Sequence, residues 1–190
     1  MSSSTTSTPA RTQATAAEIG AYAVPGDAAS EAGVAALIEQ ARAHLGEIDI
    51  WCANVGIDRG HGLLAAEDDW AAGLEVNVLA DVRTARLLVP RWVEHGQGRF
   101  VVTASAAGLL TMLGSPVYTV TKHGAFAFAE WLSATYRHRG VQMQAIYPQG
   151  AKTRMFEQAG PLTELLSHDT ALEPEDVAEA RWQAMGRTVS

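Results

Sequence analysis

Three short apolar segments alternate with longer segments of helical periodicity, and this alternation restricts the fold more than any other feature. The apolar segments are residues 48–53, 99–104 and 141–147. The segments between them have apolar residues at helical spacing, most clearly in residues 116–139. Strands that alternate with helices predict βαβ units and a largely parallel sheet. We therefore predict an α/β fold of the doubly wound type, with helices on both faces of the sheet.

Local signals fix the ends of several predicted elements. Ser30 is a candidate N-cap for a helix that ends at Gly46, and Gly140 stops the helix that begins at residue 116. One apolar stripe of the first of these helices consists of Val34, Leu37, Ile38, Ala41 and Leu45. Pro90 lies in a helical segment, where a kink or a lost hydrogen bond is expected. Further helices are predicted at residues 14–19, from Asp68 or Asp69 onward, and from residue 173.

The N-terminal region divides into two expected parts. Residues 1–13 are rich in Ser and Thr and predict a disordered tail, whereas residues 14–190 predict one domain. A brief strand is expected at residues 22–24, closed by the turn residues Pro25, Gly26 and Asp27.

Composition excludes several classes of function. A net charge of −7 in 190 residues, with dispersed Lys and Arg, argues against a nucleic-acid partner. No apolar stretch approaches the ~18 residues of a membrane span, so no membrane partner is expected. Cys52 is the single cysteine and lies in an apolar run, which predicts a buried core thiol and a reducing, cytoplasmic setting.

The strongest chemical signal is Tyr118 followed four residues later by Lys122 on one predicted helix. This spacing places the phenol and the ammonium on one helix face. A phenol has an ordinary pKa near 10, and a nearby cation lowers it towards neutral pH. Ser105 follows a strand, where its hydroxyl can face the ligand crevice and hydrogen-bond a substrate oxygen.

A tyrosine and a lysine at this spacing are common by chance, but the wider pattern is more specific. The segment Thr-Ala-Ser-Ala-Ala-Gly (residues 103–108) precedes Tyr-Thr-Val-Thr-Lys (residues 118–122), and Asn77 lies in Glu-Val-Asn-Val. In order and spacing these segments resemble the short-chain dehydrogenase/reductase family over residues 16–184. The resemblance implies an NAD(P)-dependent oxidoreductase that interconverts an alcohol and a carbonyl by hydride transfer. It assigns Tyr118 as general acid/base, Lys122 as its electrostatic partner, Ser105 as substrate-oxygen donor and Asn77 as holder of a relay water.

The same resemblance implies a set of cofactor-binding residues, with the choice between NAD and NADP open. Asn54 and Gly56 lie in Ala-Asn-Val-Gly, which is similar to the family's Asn-Asn-Ala-Gly motif. Thr153 matches the residue that contacts the nicotinamide carboxamide, and Tyr118 and Lys122 also belong to the set. Asp27 resembles the aspartate that contacts adenine, although a turn residue after Pro-Gly is an equally good interpretation.

The chain departs from the family pattern at its ends. It contains no Thr-Gly-x-x-x-Gly-x-Gly turn for the pyrophosphate, so we expect a severe loss of dinucleotide affinity. The family's strand order is 3-2-1-4-5-6-7. Without the first two strands, the segment at 22–24 should be separated from the sheet, and the strand at 48–53 should have an unpaired edge. Residues 185–190 are too short and too polar to form the family's last strand.

Other classes of function were weighed. The main alternative is a catalytically inactive fragment that acts as a binding or oligomerisation module. In this family two helices pack against their copies in another subunit, so we expect a homo-oligomer. Aromatic residues that could serve such an interface, or the core, are Trp92, Phe126, Phe128 and Trp131. A serine hydrolase is disfavoured because Ser105 lacks a Gly-x-Ser-x-Gly elbow, and the six histidines form no metal-binding pattern.

Overall fold

The computed structural model describes residues 9–148 and 172–179. The helices are α1 (Pro9–Ile19), α2 (Glu31–Leu45), α3 (Glu67–Leu74), α4 (Ala80–His95) and α5 (Pro116–Tyr136). The strands are β1 (Ile50–Ala53), β2 (Gly98–Thr103) and β3 (Val141–Ile146). A π turn at Glu75–Leu79 joins α3 to α4, and 3₁₀ turns lie at Ala106–Gly108 and Arg137–Arg139. Residues 174–179 are helical.

The sheet has three parallel strands in the order β1-β2-β3. Ile50 is opposite Arg99, and Gly98 is opposite Val141. Because the three strands are parallel, their carboxyl ends lie at one edge of the sheet. The α/β fold with a parallel sheet and flanking helices is confirmed.

The main core lies where helices pack on the central strand. Phe100 and Val102 of β2 are at most 2% exposed and contact a cluster of buried side chains. The cluster includes Val34, Ile38, Ala85, Leu88, Val89, Trp92, Ala129 and Leu132. The Trp92 indole donates a hydrogen bond of 2.5 Å to the Ile48 carbonyl, which ties α4 to the segment before β1. Each fully buried large side chain contributes roughly 1.5–3 kcal/mol to stability.

The predicted ends of α2 and α5 agree with the structure. Ser30 caps α2 by accepting a hydrogen bond of 3.2 Å from the Gly33 amide. Gly140 follows α5 and its 3₁₀ extension with φ +85°, and a Cβ there would lie 1.8 Å from the Gly96 carbonyl oxygen. Only glycine fits both the backbone conformation and the available space.

Two expectations about the N-terminal region are wrong. Residues 22–24 form no strand, and Tyr22 is 70% exposed with its ring stacked on His44. The segment has no strand partner within the described sheet. The helix α1 begins at Pro9, so residues 9–13 are helical instead of part of a disordered tail.

Cys52 is exposed instead of buried. In β1, exposed Ile50 and Cys52 alternate with half-buried Trp51 and Ala53, so one face of this edge strand lacks a cover in the described part of the chain. The apolar run had predicted a strand covered on both faces.

The helix α4 runs through Pro90, which has no N–H for the helical hydrogen bond. The predicted absence of a final strand at residues 185–190 lies outside the described residues. Of the helices in the described ranges, none combines the length and apolarity needed to span a membrane.

Candidate active site

The candidate site lies at the carboxyl edge of the sheet, where three parts of the chain meet. Ser105 lies two residues after β2, and Tyr118 and Lys122 lie in the first two turns of α5. Asn77 lies in the π turn between α3 and α4. The structure brings these four predicted residues into one region, together with the loop that follows β1.

Tyr118 and Ser105 are neighbours in this site. Hydrogen bonding by the Ser105 side chain influences the pKa of the phenol, and the Ser105 hydroxyl accepts a hydrogen bond of 3.2 Å from the Ala107 amide. Burial raises the pKa of the Tyr118 phenol above its ordinary value of 10.0; the Ser105 hydrogen bond acts in the opposite direction, and the charge of Asp58 raises the pKa further. The phenol is therefore protonated at neutral pH in this structure.

Lys122 is almost completely buried, with 4% exposure. Its ammonium donates a hydrogen bond of 3.1 Å to the Thr103 carbonyl and lies 5.7 Å from the centre of the Tyr118 ring. Burial lowers the pKa of Lys122, and the charge of Asp81 on α4 partly opposes this effect. The spacing of Tyr118 and Lys122 predicts that the ammonium lowers the phenol pKa, whereas in the structure burial dominates and Lys122 is not among the groups that shift this pKa.

Asn77 holds the loop after β1 through both ends of its amide. The side-chain oxygen accepts from the Ile57 N–H at 2.8 Å, and the side-chain nitrogen donates to the Ile57 carbonyl and the Thr121 hydroxyl, each at 2.9 Å. Asn77 is 2% exposed. A π turn inserts one extra residue in a helix and occurs frequently at functional sites.

Gly56 allows the loop to approach the lysine and the asparagine closely. A Cβ at this position would lie 3.2 Å from the Lys122 ammonium and 3.4 Å from the Asn77 side-chain oxygen. Asn54, on the same loop, accepts a hydrogen bond of 2.7 Å from the Thr103 hydroxyl and is exposed. Thr103 therefore links Asn54 to Lys122 through its hydroxyl and its carbonyl.

Asp27 lies apart from this group, at the start of α2. Its carboxylate accepts from the backbone amides of Ala29 at 2.9 Å and Ser30 at 3.3 Å. The Ser30 side chain, by hydrogen bonding, is the main cause that lowers the pKa of Asp27; the Ala29 amide and the charge of Arg83 act in the same direction. These contacts are those of a turn residue. Thr153 lies outside the described residues.

Two other chemistries lack support at this site. His123, the base of the disfavoured hydrolase hypothesis, donates from Nδ1 to the Thr119 carbonyl at 2.8 Å. In residues 9–148 and 172–179 no group of three His, Cys, Asp or Glu side chains is arranged to hold a metal ion.

Comparison with known families accounts for this arrangement. A family model described as short chain dehydrogenase matches residues 2–162. The chain belongs to the short-chain dehydrogenase family. It is 33% identical over 172 residues to 1-deoxy-11-beta-hydroxypentalenate dehydrogenase of Streptomyces exfoliatus, covering 86% of this chain and 61% of that relative. It is 31% identical over 141 residues to retinol dehydrogenase 10-B of Danio rerio, covering 72% of this chain and 42% of that relative. The chain thus spans less than two thirds of these relatives.

Solved structures share the short-chain dehydrogenase fold. A 3-ketoacyl-(acyl-carrier-protein) reductase from Brucella melitensis, complexed with NADH, superposes with a TM-score of 0.84 at 24% identity, covering 92% of this chain and 75% of that one. A short-chain dehydrogenase/reductase from Burkholderia phymatum, in complex with NAD, gives a TM-score of 0.83 at 24% identity, covering 94% and 73%.

Sequence reasoning about this short-chain dehydrogenase missed three residues of the site. The sequence singles out Thr103 only as the first residue of the Thr-Ala-Ser-Ala-Ala-Gly segment. Asp81 is 9% exposed and follows Asn77 by four residues, a spacing that could have indicated a shared helix face. Asp58 follows the Ala-Asn-Val-Gly segment by two residues, and no local pattern distinguishes it from a surface acid.

Proposed function

We propose that the chain interconverts an alcohol and a carbonyl with a nicotinamide cofactor. One observation carries this proposal: the Tyr118 phenol lies next to the Ser105 side chain, and the Lys122 ammonium lies 5.7 Å from the centre of the same ring. A phenol paired with a hydroxyl and a cation at a sheet's carboxyl edge forms a site that can bind an oxygen and exchange a proton with it.

Tyr118 is the proposed general acid/base. In carbonyl reduction its hydroxyl donates a proton to the substrate oxygen, and in alcohol oxidation its phenolate accepts one. Ser105 donates a hydrogen bond to the same oxygen, which positions it and stabilises developing negative charge. When bound, NAD or NADP supplies or accepts the hydride at the adjacent carbon.

Lys122 and Asn77 support the proton transfer. The ammonium of Lys122 favours negative charge on the Tyr118 oxygen, because an opposite charge nearby stabilises the ionised form. Asn77 fixes the loop that carries Gly56, and its amide is the proposed holder of the relay water. Ionised Asp81 favours the charged form of Lys122 and so partly opposes the effect of burial.

The residues present fit the nicotinamide end of the cofactor. Gly56 leaves the space beside Lys122 free of a Cβ, and exposed Asn54 presents an amide at the same loop. We propose that these residues, with Tyr118 and Thr153, contact the nicotinamide and its ribose. Asp27 remains the proposed adenine contact.

The proposed substrate is a small alcohol or the corresponding carbonyl compound. The two relatives above are named for hydroxyl-bearing compounds. Two loops at this edge are joined by a hydrogen bond of 2.8 Å from the Gly62 amide to the Gly114 carbonyl. The exposed leucines on these loops are Leu63, Leu64, Leu109, Leu110 and Leu113. Exposed leucines next to the site favour a substrate with an apolar surface beside the reacting carbon.

Cofactor binding and turnover test the proposal. NADH and NADPH are titrated against the chain by cofactor fluorescence, and turnover is then measured with simple secondary alcohols and ketones. We expect saturable binding, and loss of turnover in Tyr118→Phe by a factor of at least 10² with unchanged circular dichroism. Tyr136→Phe, on the same helix but outside the site, is the matched control. Turnover that survives Tyr118→Phe would refute the role of the phenol.

A second candidate function is a non-catalytic module that associates with copies of itself. The exposure of Trp131, at 53% on α5, and the exposed face of β1 favour it. We propose that α4 and α5 pack against a second copy in either case, and that the chain acts in the reducing cytoplasm, where the free thiol of Cys52 persists. A defined oligomer that binds neither cofactor would support the module over the enzyme.

A further inference from the structure

An acidic side chain that the proposed reaction does not use is joined to the N-cap of α5, the helix that carries the proposed general acid/base. Asp58, in the loop after β1, accepts a hydrogen bond of 3.4 Å from the Ser115 hydroxyl. The same hydroxyl lies 3.1 Å from His61 Nδ1. Ser115 is 4% exposed and occupies the N-cap position of α5, but its side chain makes no capping hydrogen bond. Its hydroxyl instead connects Asp58 with His61.

This connection fixes Asp58 relative to Tyr118 from two sides. Ser115 precedes Tyr118 by three residues in the first turn of α5, so the two side chains are neighbours on the helix surface. On the other side, Asn77 holds Ile57, the residue before Asp58, by both its N–H and its carbonyl. The position of the carboxylate is therefore set by the same residues that build the candidate site.

We propose that Asp58, held by Ser115 and by the Asn77 contact to Ile57, is a positioning residue that sets the pH at which Tyr118 exchanges its proton. This inference rests on the proposed function and adds a residue to it. Asp58 acts through its charge on the phenol and does not touch the reacting atoms.

Asp58 acts on the Tyr118 phenol together with other charged groups. Lys122, on the same helix, lies 5.7 Å from the centre of the Tyr118 ring, and the charge of buried Asp81 on α4 acts on Lys122. Asp58 approaches from the loop after β1 and favours the protonated phenol. In that loop, Arg59 forms an ion pair of 2.9 Å with Asp69 of α3.

The surroundings of Asp58 make its charge effective. Its Oδ1 atom is buried and has no hydrogen-bond partner within the described ranges. Burial raises the pKa of Asp58, whereas the charge of His61 and the Ser115 hydrogen bond lower it. A carboxylate that is poorly screened by water acts more strongly on a neighbouring group than a surface acid does.

A direct test measures the ionisation of Tyr118 in the whole chain without cofactor or substrate. Tyrosine labelled with ¹³C at Cζ reports phenol ionisation by NMR, and Tyr118→Phe assigns the resonance among the four tyrosines. In Asp58→Asn we expect the midpoint of the Tyr118 titration to move to lower pH by roughly 0.5–1 unit, as expected for removal of one nearby like charge. Ser115→Ala, which releases the carboxylate towards water, should move the midpoint in the same direction by less.

The matched control is Asp68→Asn, which removes an equal charge from an exposed position in the first turn of α3. Its Tyr118 midpoint should stay within about 0.1–0.2 unit of the unsubstituted chain, because exposed charges are screened. Unchanged resonances of Tyr22, Tyr136 and Tyr147 report an intact fold. A Tyr118 midpoint that is equal in Asp58→Asn and Asp68→Asn, or that moves to higher pH in Asp58→Asn, would overturn the inference.

If the chain turns over an alcohol, the same substitution has a kinetic consequence. The pH profile of kcat/KM for alcohol oxidation should begin to rise at lower pH in Asp58→Asn, by the shift seen in the NMR titration. The titration needs no turnover, so an inactive chain would count against the proposed function while the role of Asp58 is still tested.

Discussion

The replacement Asp81→Asn should make the chain more stable at neutral pH and leave its stability nearly unchanged in acid. Asp81 is 9% exposed, and burial raises its pKa from 3.8 to about 7 even though Lys122 acts in the opposite direction. Between these two pH values the folded chain keeps a proton that the unfolded chain has already released. The contribution of Asp81 to the free energy of unfolding is therefore fully present in acid and is lost as the pH rises towards 7.

The size of this effect follows from the pKa difference. Each pH unit between about 4 and 7 costs ~1.4 kcal/mol, so the interval corresponds to about 4 kcal/mol. A domain of this size has a free energy of unfolding on the order of 5–15 kcal/mol, so the change is a large fraction of the total. Asparagine has nearly the same shape and does not ionise, so the variant should not show this loss.

Urea unfolding followed by tryptophan fluorescence measures the difference. Both proteins are compared at about pH 4.5, 6.0 and 7.5, and the stability gain of Asp81→Asn should grow from about 1 kcal/mol to about 4 kcal/mol. Asp49→Asn, which replaces an exposed aspartate before β1, is the control and should change stability by less than about 0.5 kcal/mol at each pH. A gain that is independent of pH, or that shrinks as the pH rises, would refute the reasoning.

Two further predictions concern the core and the proposed interface. Leu88→Ala, at a position that is 1% exposed, should lower the free energy of unfolding by about 2–5 kcal/mol. Leu87→Ala, at 40% exposure on the same helix, is the control and should lower it by less than about 1 kcal/mol. Equal losses of the two variants in urea unfolding would contradict the described packing of α4. Trp131→Glu should convert the expected homo-oligomer into monomers in light scattering, with Glu130→Gln as the neighbouring control, and an unchanged mass would exclude α5 as the contact.

The parts of the fold that depend on local chemistry were predictable from sequence. The central strand was placed within one residue, because a short apolar run between polar turns has few other interpretations. The helix α2 was placed between Ser30 and Gly46 for the same kind of reason, since its cap and its stop are residue types with specific backbone roles. The pairing of Tyr118 with Lys122 followed from their helical spacing, and the addition of Ser105 followed from its position after a strand and from the family resemblance.

Features that depend on neighbouring elements were not predictable in the same way. The apolar composition of β1 does not reveal whether one face or two faces are covered, so Cys52 was expected in the core and is exposed. Residues 22–24 have strand composition, but a strand needs a hydrogen-bonding partner. The π turn around Asn77 and the burial of Asp81 arise from packing against α5, which no local window of sequence contains.

The two hydrogen bonds between Asn77 and Ile57 fix part of the candidate site before any ligand binds. One side-chain amide accepts from the N–H and donates to the C=O of a single residue, which are the two bonds that an adjacent strand would provide. The Asn77 side chain thus takes the place of a neighbouring strand for Ile57. We expect the amide hydrogen of Ile57 to exchange with solvent as slowly as those of the sheet, although Ile57 lies in a loop. Because these hydrogen bonds already order the loop, a ligand that binds there loses no binding free energy in ordering it.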